Sequence, residues 1–125
     1  MSDDDIQPRA TQQTKAEPRQ ARFFEWDLVG PAYHGATDVV DKRIAKGLDV
    51  NMVDQSTGLS ALHVAVGTDN LNLTKKLVEE YGAAFFADSY GRWPSVIAIE
   101  CEVSDELAVY IAEAEARFLE LESQN

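Results

Sequence analysis

Apolar residues recur at helical spacing in the last quarter of the chain. From Leu107 onward they stand three or four positions apart, namely Leu107, Tyr110, Ile111, Ala114, Phe118 and Leu121. This spacing places them on one side of an α-helix, and the other sides are mostly acidic. Ser104 is a favourable N-cap, and acidic residues directly after it complement the positive end of the helix dipole. The pattern predicts a long acidic helix that begins at Ser104.

Shorter helices are predicted upstream from the same combination of apolar spacing and end signals. They run from about Ser60 to Val66, from about Asn72 to Tyr81 and from Pro94 to about Cys101. Thr37 is the expected N-cap of another helix, which Gly47 closes. Asp27 is expected to cap a short helix that Pro31 starts or kinks and that Gly35 ends. Together these segments predict an all-α fold.

The first 21 residues differ in composition from the rest of the chain. They contain Pro8, Pro18 and many polar residues, and Ile6 is their one large aliphatic residue apart from Met1. Such a segment cannot bury enough apolar surface to offset its chain entropy. We therefore predict a disordered tail at residues 1–21 and a folded domain at residues 22–125. The domain would start at the aromatic cluster Phe23-Phe24-Glu25-Trp26.

Turn-forming residues recur along the domain at a regular period. The equivalent pairs are Gly47 and Gly82, Asp54 and Asp88, and Gly58 and Gly91. The members of these pairs are 35, 34 and 33 residues apart, respectively. Each period contains a turn and two predicted helices. A period of this length with this content indicates a helical repeat protein.

The best-defined repeat resembles the ankyrin family. Residues 58–65, Gly-Leu-Ser-Ala-Leu-His-Val-Ala, are similar to the family pattern Gly-x-Thr-Pro-Leu-His-x-Ala. Residues 35–51 resemble the second helix and the Gly-Ala-Asp-Val-Asn run that follows it. Residues 91–98 keep the Gly, Pro and Ala but lose the Leu-His pair. The resemblance covers about residues 28–122 and implies a solenoid of about three helix-turn-helix repeats. The outer two repeats are degenerate, and the aromatic cluster and the acidic last helix are caps.

The net charge of the chain restricts the kinds of molecule that it is expected to bind. The formal net charge is −11, and residues 1–24 hold four acids and four bases, so the rest of the chain carries all of it. An acidic domain repels nucleic acids and anionic membranes and attracts basic protein surfaces. We therefore expect a protein partner with a basic surface and no direct binding to nucleic acid or membrane. The alternative is that the charge only maintains solubility.

The N-terminus and the single cysteine bear on location. The chain starts Met1-Ser2-Asp3-Asp4-Asp5, without the apolar core of a signal peptide, and no apolar run reaches the length of a membrane span. With Cys101 alone, an internal disulfide is impossible. These features predict a cytoplasmic protein.

The sequence contains no catalytic or cofactor motif of the common kinds, such as a phosphate-binding loop, Gly-x-Ser-x-Gly or His-Glu-x-x-His. Cys101 lies between two glutamates, whose charge disfavours a nucleophilic thiolate. His63 occupies the Leu-His position, which implies a hydrogen bond to the neighbouring turn, and His34 is expected at the surface. We predict no enzymatic activity and no cofactor.

No metal-binding pattern is complete. The two histidines and the cysteine are too widely spaced for a zinc site. Asp49, Asn51 and Asp54 lack the glycine and the closing glutamate of a calcium-binding loop. We predict no metal site.

The resemblance also implies a binding surface, because ankyrin stacks generally bind through turn tips and the inner face of each first helix. On this chain the candidate partner-binding residues are Met52, Gln55, Leu59, Phe85, Phe86, Tyr90, Arg92 and Trp93. Aromatic and arginine side chains are enriched at interfaces. The second turn is therefore expected to supply the main contacts, although one or two of its four aromatic residues are expected to fill gaps in the fold.

The function expected from these features is that of a non-catalytic protein–protein interaction module, an adaptor or an inhibitor. One alternative is an antitoxin or immunity-type neutraliser of a basic enzyme, which predicts salt-sensitive association. Another is a regulatory subunit of a larger complex, which predicts an unstable isolated chain because so few repeats are marginally stable.

Overall fold

The computed structural model describes residues 27–124, and this part of the chain is helical. Its helices are α1 (Val29–Tyr33), α2 (Thr37–Ala45), α3 (Ala61–Gly67), α4 (Leu71–Glu79), α5 (Pro94–Glu100) and α6 (Asp105–Ser123). Within residues 27–124, extended backbone pairs only in an isolated antiparallel bridge between Val53 and Ser60. The prediction of an all-α fold is confirmed for these residues. The predicted tail at residues 1–21 and the aromatic cluster at residues 23–26 lie outside them.

Most helix starts follow the capping chemistry of the sequence. Ser60, Asn70 and Ser104 each accept a hydrogen bond from the backbone N–H three residues on, at 3.1–3.3 Å. Pro94 is the first residue of α5, where a missing N–H costs no helical hydrogen bond. The N-terminal ends of α3, α4 and α6 are therefore fixed by hydrogen bonds within the local sequence.

One predicted N-cap is wrong, and a second helix start differs from the prediction by one residue. Thr37 is the first residue of α2 and not its N-cap, and Ala36 in the cap position makes no side-chain hydrogen bond. The helix expected from Asn72 begins one residue earlier, because the side chain of Asn70 supplies the cap. That helix ends at Glu79, two residues before the predicted Tyr81.

Leu28, and not the predicted Asp27, occupies the N-cap position of α1, but the Asp27 side chain still satisfies N–H groups at the start of the helix. Its two carboxylate oxygens accept hydrogen bonds from the backbone N–H groups of Val29 and Gly30, both at 2.9 Å. Its carbonyl oxygen accepts a hydrogen bond from the Arg43 guanidinium at 2.7 Å. These bonds connect the start of α1 to the end of α2.

The centre of the fold is α3. Every residue from Ala61 to Val66 is buried, which is typical of a helix with neighbours on all sides. It packs against α1, α4 and α5, while α6 packs against α4 and α5. The α6 residues that enter this core are Leu107, Ile111 and Ala114. The helices therefore share one core, and α6 covers its C-terminal side.

The three short connections within the pairs α1–α2, α3–α4 and α5–α6 have the same backbone feature. Each contains a residue with positive φ: Gly35 at 68°, Asp69 at 58° and Glu102 at 53°. These positions recur with nearly the same period as the turns. Glycine adopts this conformation readily, whereas a side chain makes it unfavourable. The backbone is therefore strained at Asp69 and at Glu102, the two positions that are not glycine.

This strain predicts that Glu102→Gly stabilises the domain. Glycine removes the energetic cost of the left-handed backbone conformation, but it also increases the conformational entropy of the unfolded chain. The net effect should raise the free energy of unfolding by about 0.5–1 kcal/mol. Urea denaturation of the purified full chain measures the difference. Glu102→Gln is the matched control, since it removes the charge but keeps the strained backbone. Equal stabilisation by both variants would show that charge, and not conformation, is responsible.

Candidate functional site

Two neighbouring turns form the edge of the candidate site. In the first, Asp54 Oδ1 accepts hydrogen bonds from the backbone N–H groups of Ser56 and Thr57, at 2.8 and 3.1 Å. The backbone of Ser89 in the second turn donates to the Thr57 carbonyl at 2.9 Å. Gly58, with φ of 72°, allows this approach, because a Cβ atom there would lie 2.6 Å from the Ser89 nitrogen. The two turns are thus held side by side.

The second turn is organised by the buried carboxylate of Asp88. Its Oδ1 accepts from the backbone N–H groups of Tyr90 and Arg92, and its Oδ2 accepts from the Arg92 guanidinium, all at 2.8–2.9 Å. Burial acts to raise the pKa of Asp88. The hydrogen bonds from Arg92 and Tyr90 outweigh that effect and lower the pKa below its usual value. Asp88 therefore stays ionised and keeps the turn closed.

Arg92 connects this turn to an exposed aromatic ring. Its guanidinium also pairs with Glu100 at 3.3 Å, so two carboxylates balance its charge. The guanidinium carbon lies 5.5 Å from the centre of the Tyr90 ring, which is 73% exposed. Arg92 consequently supports the position of Tyr90 and offers little net charge to a partner.

His63 joins the start of α3 to the following loop. Its Nδ1 accepts a hydrogen bond from the Ser60 backbone N–H at 3.1 Å, so the proton resides on Nε2, which donates to the Phe86 carbonyl at 2.9 Å. The expected bond from His63 to the neighbouring turn is confirmed. A parallel bond runs from the Ala84 backbone N–H to Asn51 Oδ1 at 2.8 Å. Burial lowers the pKa of His63 and favours its neutral form.

The structure divides the predicted partner-binding residues by exposure. Gln55 and Tyr90 are exposed, whereas Met52, Leu59 and Trp93 pack in part against the core, and Phe86 is half-buried beside His63. One prediction needs correction, since Phe85 is only 4% exposed and the centre of its ring lies 5.3 Å from that of Phe118. Phe85 fills a gap between the loop and α6 and cannot contact a partner in this conformation.

A shallow cavity of about 210 Å³ lies beside the turns, between the facing sides of α1, α3 and α5. It is lined by Tyr33, Leu59, His63, Val64, Gly67, Thr68, Arg92, Ile97 and Cys101. Only Leu59 and Arg92 among these were predicted to bind a partner. The spacing along the sequence could have indicated four of the others, because Ile97 and Cys101 stand 33 residues after Val64 and Thr68. The cavity therefore lies where the facing sides of α1, α3 and α5 meet.

The residues considered for metal binding have other roles. The carboxylate of Asp49 accepts from the Asn51 backbone N–H at 2.9 Å, and Asn51 and Asp54 make the bonds described above. Within residues 27–124, no three His, Cys, Asp or Glu side chains are grouped so that they could hold a metal ion. Cys101 is a free, exposed thiol at the rim of the cavity. In the same range, no helix has the length and apolarity that crossing a bilayer requires.

Comparison with known proteins gave no family: no protein-family model matches the chain, and no curated protein matches it. The cavity, the exposed Tyr90 and the turns that hold them are therefore the observations from which function can be argued.

The neutral His63 predicts a pH-dependent stability. An unfolded histidine binds a proton near its ordinary pKa of 6.5, whereas the pKa of His63 in the folded chain is lower. As the pH falls below 6.5, the unfolded state binds more protons and the free energy of unfolding decreases. Urea denaturation at pH 7.5, 6.5 and about 5.5 measures this decrease. The low pKa of Asp88 acts in a separate window, below its ordinary 3.8.

Substitution of each histidine isolates the source of this effect. His63→Asn should lower stability by about 1–3 kcal/mol at pH 7.5, because it leaves the Phe86 carbonyl unpaired, and should flatten the profile between pH 7.5 and 5.5. His34→Asn, at the exposed histidine, should leave the profile unchanged. A profile that flattens in the His34 variant instead would contradict this assignment.

Proposed function

We propose that this chain is a short ankyrin-type protein with no catalytic activity of its own, which binds another protein as an adaptor or inhibitor. The hydrogen bond from His63 to Phe86, in the middle repeat, supports the family assignment because it performs the role that the Leu-His motif implies. The recurring left-handed positions and the paired turns support it further. The cytoplasmic location expected from the sequence remains a prediction.

The binding surface proposed here, the inner surface, consists of Tyr33, Leu59, Tyr90 and the supporting Arg92. The observation that carries this proposal is the exposure of the Tyr90 ring on a turn that hydrogen bonds and an ion pair to Asp88 hold in place. A preorganised aromatic side chain loses little conformational entropy on binding, which is why such residues are frequent anchors of interfaces. The adjoining cavity offers apolar walls for a partner side chain.

The proposal predicts that Tyr90→Ala weakens partner binding without unfolding the domain. A partner would first be isolated from the native host with the wild-type chain as bait, and its Kd for purified variants would then be measured by calorimetry. We expect the Kd to rise about 10-fold or more, as for loss of an aromatic anchor. Trp93 is less suitable for this test, because it packs against the core and its removal would also destabilise the fold.

Ile99→Ala is the matched control. Ile99 is 74% exposed and stands two residues after Ile97, so it lies on the opposite side of α5 from the cavity. This variant should bind as the wild type does. An unchanged Kd for Tyr90→Ala, with thermal unfolding equal in both variants, would overturn the assignment of the inner surface.

A second candidate function is neutralisation of a basic enzyme, and the observation that favours it is the distribution of charge. Eight acidic residues follow Ile99, against Arg117 as the one basic residue. If this charge steers association, the association rate should fall about 10-fold or more between low and physiological ionic strength, with a much smaller change in the dissociation rate. Stopped-flow measurement with the isolated partner tests this, and a rate that ignores salt would exclude neutralisation by electrostatic steering.

A further inference from the structure

The outward side of α6 has an apolar pattern of its own. Val109, Ala112, Ala116 and Leu119 follow one another at intervals of three, four and three residues and are all exposed, Val109 to 56% and Leu119 to 43%. This spacing aligns them in one stripe, here called the outer seam. It lies on the opposite side of α6 from Leu107 and Ile111, which enter the core. No described helix covers this side.

A row of carboxylates follows one edge of the outer seam. Glu106, Glu113 and Glu120 stand seven residues apart, which is nearly two helical turns, so they align along the helix. All three are exposed, and none of their carboxylates forms an ion pair or hydrogen bond with any residue from 27 to 124. Glu115 differs, because its carboxylate accepts hydrogen bonds from the Ser95 backbone N–H and hydroxyl at 3.0 and 2.5 Å. The acidic row is therefore not used in holding the described fold together.

The negative charge of the acidic row indicates which kind of molecule would bind the outer seam. A second copy of the chain would bring two acidic helices together, and Arg117 is the one base within α6. The chain's own residues 1–24 sum to zero charge and hold few apolar side chains to pack on the seam. A basic helix of another protein satisfies both the apolar stripe and the carboxylates. In coiled coils, charges that flank an apolar seam choose the partner in this way.

We propose that the outer seam of α6 binds a basic amphipathic helix of a partner protein. The partner would place aliphatic residues on the seam and Lys or Arg at heptad spacing against the acidic row. The two alanines in the middle of the seam let the helix axes approach at about the short end of the usual 8–10 Å. The seam covers about 15 Å of helix, so the affinity of this contact alone should be in the micromolar range. This surface is distinct from the inner surface.

The test uses synthetic peptides and the full-length chain. The probe has three heptads, about 21 residues, with Leu and Ile on the seam and Lys at the flanking positions. One control peptide carries Glu at those positions, and another has the same composition in scrambled order. Fluorescence anisotropy at low and physiological ionic strength gives the Kd of each. We expect micromolar binding of the probe and binding at least 10-fold weaker for both controls.

Two double variants separate the contribution of the apolar seam to probe binding from that of the acidic row. Val109→Gln with Leu119→Gln removes the apolar stripe at exposed positions, and Glu113→Gln with Glu120→Gln removes charge at constant size. The first should weaken probe binding at least 10-fold, and the second should lower both the affinity and its salt dependence. Ile99→Gln, an equally exposed aliphatic site on α5, should have no effect. These experiments do not involve Tyr90, so they can fail while the inner surface stands.

Three results would overturn the proposal. The first is equal binding of the scrambled peptide, which would mean that charge alone acts. The second is dimerisation of the wild type in sedimentation, abolished by the seam variant, which would make a second copy the occupant. The third is a gain in probe affinity of 10-fold or more when Arg9, Lys15, Arg19 and Arg22 are replaced by Gln, which would identify the chain's own N-terminal segment as the occupant.

Discussion

The hydrogen bonds of the neutral His63 ring to Ser60 and Phe86 are the interactions on which the rest of the described structure depends. Its Nδ1 accepts a hydrogen bond from the backbone N–H of Ser60, the N-cap of α3. Its Nε2 donates to the carbonyl of Phe86, in the loop that leads to α5. α3 is the most buried helix, so this ring fixes the following loop relative to the core. Loss of either bond would leave a buried polar group unpaired, which costs more than the bond itself contributes. The ring can perform this role only while it is uncharged, and the burial that lowers its pKa keeps it so.

The inner surface is built on that connection. The loop held by His63 leads into the turn around Asp88, whose carboxylate is satisfied by Tyr90 and Arg92. The chain therefore uses an internal ion pair to position an exposed aromatic ring, and the charge of Arg92 is balanced before any partner arrives. Recognition at the inner surface should depend on shape and aromatic contact. The net negative charge of the chain lies elsewhere, and α6 carries the largest share of it, with six acidic residues against Arg117.

The sequence predicted helices best where one interaction was decisive. α6 was found because its buried stripe and its Ser104 cap agree, whereas the start of α2 was misplaced because Thr37 makes no capping bond there. The strained residues Asp69 and Glu102 gave no signal, since glycine is the usual marker of positive φ. Phe85 was listed among the partner-binding candidates, and local composition could not show which of the four aromatic residues fill gaps, because Phe118, which packs against Phe85, lies far along the chain on α6. The cavity was not predicted as such because its walls come from α1, α3 and α5, and only the packing of these helices brings the walls together.

The charge of α6 is not explained by the stability of the helix. Asp105 and Glu106 lie in its first turn, where the helix dipole favours negative charge, but Glu120 and Glu122 lie near its other end, where the dipole disfavours it. No basic residue occupies the last turn to compensate. Each unfavourable charge of this kind costs about 0.3–1 kcal/mol at low ionic strength. A binding role accounts for this arrangement, because cations brought by a partner to the outer seam would offset both the unfavourable interaction with the helix dipole and the repulsion among the carboxylates.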